Sequence, residues 1–147
     1  MGREKFIINA TDMFTSKDEL KTHMNVDSID VITESDDTLV EAAIDGAVSE
    51  AKGYLTGSFD TDAIFNATGS MRHALVLTFV KDIAVWHLIA LSNYQADIAM
   101  REKRYDRAIS WLKGVQKGDI VPDLPAAPST VTAKIIYGSN PKRNQHF

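Results

Sequence analysis

Apolar positions are densest from Met71 to Ser92 (MRHALVLTFVKDIAVWHLIALS), a stretch that no Gly or Pro interrupts. At 100° per residue its polar members, Arg72, His73, Thr78, Lys81, Asp82 and His87, scatter around the helical wheel. A surface helix gathers its polar residues on one side, whereas a helix that is apolar nearly all round is covered from several directions. The stretch therefore predicts a central helix about 33 Å long, capped at its N-terminus by Ser70. That cover comes from the rest of a soluble bundle or, in part, from neighbouring subunits. Lys81-Asp82 at its midpoint argues against a membrane span, because charge is expensive in lipid.

A cleaner amphipathic pattern precedes it. After the N-cap signal Asp36-Asp37-Thr38, the apolar positions from Leu39 to Leu55 fall within one half of the wheel, with Glu50 the only charge among them. Along the edge of that face runs a row of small residues, Ala42, Gly46, Ser49 and Gly53. Glycine inside a helix costs about 1 kcal/mol relative to alanine, so two of them predict a close helix crossing at this edge. A third helix follows from Arg101 to Lys117, stopped by Gly118. Its apolar third comprises Tyr105, Ala108, Ile109, Leu112 and Val115, and Lys103, Arg107, Lys113 and Lys117 lie opposite. That basic side is either a solvated face or a docking patch for an acidic partner or a phosphate.

The connecting segments are less regular. Lys5–Ile8 is a short β-prone run, and Ser16-Lys17-Asp18-Glu19 matches a capping box that opens a short helix to about Met24. Val26–Ser35 shows no helical period and reads as a loop or brief extended segment. Ser58–Gly69 reads as a loop with room for one helical turn, and Asn93–Met100 as a turn or helix extension. From Asp119 to Thr130 three prolines enforce extended or turned backbone. Val131–Tyr137 then alternates like a strand before a polar, basic tail to Phe147. The predicted architecture is all-α: a small antiparallel bundle of three main helices plus a short N-terminal one over residues 1–118, and an extended, strand-containing arm over 119–147. A strand needs a partner for its backbone groups. It pairs either with Lys5–Ile8 or, by strand addition, with another subunit. In the second case Ile135, Tyr137, Lys142, Arg143 and Phe147 make the partner contacts.

Composition removes whole classes of function from consideration. One domain of 147 residues with a net charge of −4 carries no general attraction for nucleic acid. There is no cysteine, and the N-terminus lacks the apolar core of a signal peptide, so the expectation is a cytoplasmic, soluble protein. No glycine-rich phosphate loop and no nucleophile elbow is present, and the four histidines have no metal-ligand spacing. Asp60 and Asp62 lack the further ligands and central glycine of a calcium loop. The expectation is therefore no catalytic residue, no metal and no cofactor. His73 and His87 read as packed or hydrogen-bonded side chains. Asp82, costly inside an apolar helix unless paired, predicts a buried ion pair with Arg104, Arg72 or Arg107.

Three segments carry a family resemblance: Thr38–Asp45 followed by Gly53-Tyr54-Leu55, then Asp82–Leu88 (DIAVWHL), then Arg104–Ile109 with Trp111-Leu112-Lys113 and Gly118. Together they resemble the head–tail connector adaptors, or head-completion proteins, of tailed phages in the Mu-like branch, over roughly residues 38–125. The chain departs from that pattern after the first long helix, where Gly57-Ser58-Phe59 replaces the common Gly-Arg-Tyr, and in its longer arm. The resemblance implies a non-enzymatic virion protein of the neck, made in the bacterial cytoplasm. It implies a homo-oligomeric ring, typically twelve-fold, under the portal protein. The ring would extend the DNA channel, with the basic side at Lys103, Arg107, Lys113 and Lys117 as its candidate lining. It would touch passing DNA transiently and without sequence preference, and seat stopper or tail-completion proteins, with no membrane partner. The rival readings are a tail-completion or stopper protein of the same neck and a small helical nucleic-acid-binding protein.

Overall fold

A computed structural model describes residues 13–128. Six α-helices run along them: α1 (Lys17–Leu20), α2 (Val26–Thr33), α3 (Asp37–Leu55), α4 (Thr61–Phe65), α5 (Ala74–Ala90) and α6 (Ile98–Lys117). Most of these starts are written in capping side chains. Ser16, Asp36 and Asp60 accept from the backbone N–H of Glu19, Thr38 and Ala63 and open α1, α3 and α4. Gly118, at φ 84°, closes α6 in the left-handed conformation that glycine adopts without strain.

Two expectations are corrected. Val26–Thr33 is a helix, not a loop or strand. Its β-branched residues disguise it, but Ile29 and Ile32 are both buried, and Asn25 caps its start by accepting from Asp27 N–H. Tertiary burial outweighs the local preference. The central helix also begins later than its apolar run, at Ala74, and is capped by the His73 ring in place of Ser70. The cause is Arg72. Its guanidinium donates to the Phe14 carbonyl at 2.8 Å and to Glu19 at 2.6 Å, and that reach holds its backbone extended. The Arg72 charge in turn holds the Glu19 carboxyl below its ordinary range.

Helix α5 lies at the centre. It packs on α2, α3 and α6, while α3 and α6 also touch each other. Every residue from Phe79 to Val85 is buried, including Lys81 and Asp82. The cover that the apolar run demands over this stretch thus comes from within the chain. Helices α5 and α6 run antiparallel: Phe79 meets Trp111 at one level, and Trp86 stacks on Tyr105 with centroids 5.6 Å apart at another. Phe14 meets Phe65 edge-on and joins the first described residues to α4. No helix among the described residues is long and apolar enough to cross a membrane.

The described part of the arm returns along the bundle. Ile120 lies against the bare Cα of Gly114, where a Cβ would come within 2.7 Å of its Cδ1. Asp60 N–H then donates to the Pro125 carbonyl and Ala127 N–H to the Ser58 carbonyl, so Phe59 and Ala126 form an isolated antiparallel bridge. The strands expected at Lys5–Ile8 and Val131–Tyr137 lie outside the described residues, and no strand occurs among the described ones beyond that single bridge.

Candidate functional site

Helix α6 presents the predicted basic side to solvent: Lys103, Arg107, Lys113 and Lys117 are all exposed. They do not form one patch of uniform sign. Lys113 and Lys117 share a shallow groove with Asp106 and Asp119, and Arg107 lies over the Phe79 ring, 5.6 Å from its centroid. A denser convergence of charge sits around Asp82. Its carboxylate meets the His23 ring at 3.4 Å, and both side chains are largely buried. Arg104 does not bridge Asp82 directly, which corrects the predicted pair; it acts with Arg107 and Arg101 through its field. Burial outweighs that field and raises the Asp82 pKa above the ordinary carboxyl value.

Lys81 completes this cluster from α5. Its ammonium reaches only the Thr22 hydroxyl, at 3.4 Å, although the residue is 9% exposed. Arg101 donates to the His23 carbonyl and so ties the start of α6 to the turn after α1. Burial and the nearby Lys81, Arg104 and Arg101 push the His23 ring down to about 4. Sequence reasoning missed Lys81, Arg101 and His23 as a group. The available signal was the three-residue spacing of Arg101, Arg104 and Arg107, which puts them along one side of α6. Nothing in the sequence marks His23.

The other half-buried polar group joins three helices. Glu50 of α3 accepts from the Tyr105 hydroxyl of α6 at 2.8 Å and lies 3.1 Å from the His87 ring of α5. Burial and that carboxylate raise the Tyr105 phenol to about 12, so the tyrosine remains a donor at any physiological pH. Gly46 makes room for the ring: a Cβ there would lie 3.2 Å from His87 Nδ1. This is the close crossing the row of small residues predicts, and it is made with α5 at Gly46 only. Ala42, Ser49 and Gly53 stay exposed. Gly46→Val is expected to destabilise by about 1–3 kcal/mol by forcing the ring aside, while Gly53→Ala, with nothing near its Cβ, should gain up to about 1 kcal/mol from helix propensity. Chemical melts of the two variants, moving in opposite directions, check both.

An open groove of about 470 Å³ follows the outer side of α3, between Phe14, Asp45, Val48, Lys52 and Phe65. Among the described residues no group of three or more His, Asp or Glu side chains is placed to hold a metal. Ile135, Tyr137, Lys142, Arg143 and Phe147, the predicted partner contacts, lie outside the described residues.

No curated protein and no solved structure is detectably similar to this chain. The sequence model of one family, described as Bacteriophage Mu, Gp36, matches residues 9–135, which takes in all six helices and the described part of the arm. The chain belongs to this phage family.

Proposed function

We propose that this chain is a structural protein of the phage particle, a head–tail connector adaptor of the neck that does no chemistry. In this role it assembles with copies of itself into a ring under the portal, lengthens the DNA channel and seats the stopper or tail-completion protein. One observation carries the reading. The segments that resemble the connector adaptors, at 38–55, 82–88 and 104–118, fall on α3, α5 and α6 with its Gly118 cap, the three helices that pack on one another. The resemblance therefore runs along the three helices that form the core, through both their buried and their exposed positions.

Co-sedimentation of the full chain with portal rings or tailless capsids tests the role. Saturable, stoichiometric binding to the portal is the expected result. Binding to isolated tails and not to the portal would move the protein to the tail side of the neck. Binding to neither, by a folded chain, would overturn the proposal.

A further inference from the structure

We propose that Lys81, Arg101 and Arg104, which α5 and α6 bring together beside His23 and Asp82, form a binding site for a phosphate group. The inference does not depend on the connector role. Lys81 is nine-tenths buried and carries its charge without a carboxylate in contact, its partner being the Thr22 hydroxyl. Arg101 Nε is the one buried side-chain polar atom among the described residues that has no hydrogen-bond partner. Arg104 is exposed and makes no salt bridge among the described residues. Lys81 meets the Thr22 hydroxyl, which lies 2.7 Å from His23 Nδ1, and Arg101 donates to the His23 carbonyl. Both cations therefore converge on the Thr22–His23 turn, with Arg104 one helical turn beyond Arg101.

The charges facing that turn do not balance. Lys81 comes from α5, Arg101, Arg104 and Arg107 come from α6, and the carboxylates that act on them are Asp97, at the start of α6, and Asp82. Glu19, the next acid, is bound by Arg72. A buried or half-buried cation without a counter-ion is costly. An incoming anion therefore recovers more here than on an open basic face. The donor set decides which anion. Two guanidinium forks and an ammonium supply donors from several directions, which suits the tetrahedral oxygens of a phosphate; one planar carboxylate is already satisfied by a single fork.

The site reports on itself through His23. The three cations help to hold this ring at about 4, and a bound phosphate screens them, so its titration midpoint should move back toward the ordinary histidine value. The experiment follows the His23 ring of the full chain by NMR while inorganic phosphate is added at constant ionic strength, with acetate as the matched control. The expected result is a saturable shift with phosphate and none with acetate. Arg104→Gln, at an exposed position, should weaken the phosphate response about tenfold, the loss of one charge-assisted hydrogen bond. Lys113→Gln, farther along the same helix, should leave it unchanged. A short DNA duplex in a parallel sample separates the sources. Competition with phosphate for the same residues identifies a backbone phosphate as the ligand, and a duplex without effect identifies the free ion. No saturable shift, an equal response to acetate, or a response that Arg104→Gln leaves intact would overturn the site.

Discussion

Leu88→Ala is expected to remove about 3–4 kcal/mol of stability, the cost of a large cavity in a core that cannot close around it. Leu88 is fully buried on α5, the helix that α2, α3 and α6 surround. Its neighbours on that helix, Ala84 and Val85, are buried as well, so the void has no solvent to fill it and no mobile wall to collapse. A single domain of this size is stable by about 5–15 kcal/mol, and the substitution should take a large part of that. Leu91, three residues on and 56% exposed, is the matched control: Leu91→Ala should stay within about 0.5 kcal/mol. Equilibrium unfolding in urea, followed by circular dichroism, measures both. A Leu88→Ala variant as stable as Leu91→Ala would mean that α5 is not the centre of the core.

Mild acid should weaken the fold through His23. In the folded chain this ring is held down to about 4 by burial and by Lys81, Arg104 and Arg101, whereas in the unfolded chain it titrates near 6.5. A base whose folded pKa is depressed contributes stability that is present above the unfolded pKa. That stability is lost as pH falls, because below 6.5 the unfolded state takes up a proton that the folded state refuses. The loss should approach about 2 kcal/mol by pH 4 once solvent screening of the half-buried ring is allowed for. Asp82 works in the opposite direction. Its pKa is raised in the fold, so the folded state binds its proton more readily than the unfolded one, and stability returns as that carboxyl protonates. The His23 contribution is lost as pH falls from about 6.5 toward about 4, and protonation of Asp82 offsets part of that loss. Urea midpoints at several pH values, for the full chain and for His23→Gln, measure it. The variant should show a flatter profile across that window, and equal slopes would exclude His23 as the source.

The three long helices are legible in the sequence because each carries its reason locally. Helix α3 has a 3.6-residue apolar face and an Asp36 cap, α6 has a clear apolar third and a glycine stop, and α5 announces its central place by having no polar side. Membership of a phage family was equally present in the chain, in residues spread along α3, α5 and α6. What local pattern could not supply is any feature set by a residue distant in sequence. Helix α2 exists because Ile29 and Ile32 find cover, against the β-leaning preference of its own residues. The start of α5 is displaced by three residues because Arg72 reaches Glu19, 53 positions earlier.

The same division runs through the candidate sites. That Asp82 needs a partner was readable, since a carboxylate in an apolar helix is costly wherever the helix lies. Which partner it takes was not, because His23 comes from a turn with no signal of its own and Arg104 stays in the solvent nearby. The two glycines of α3 likewise called for a close neighbour. Only the packing of α5 shows that Gly46 has one in His87 and that Gly53 has none. The sequence by itself determined the all-α class, the long helices and membership of a phage family, all of which follow from periodicity, caps and residues close together in the chain. Only the tertiary structure decided where charge gathers. The fields of Lys81, Arg101 and Arg104 overlap once α5 and α6 lie side by side, and no spacing along one helix encodes that meeting.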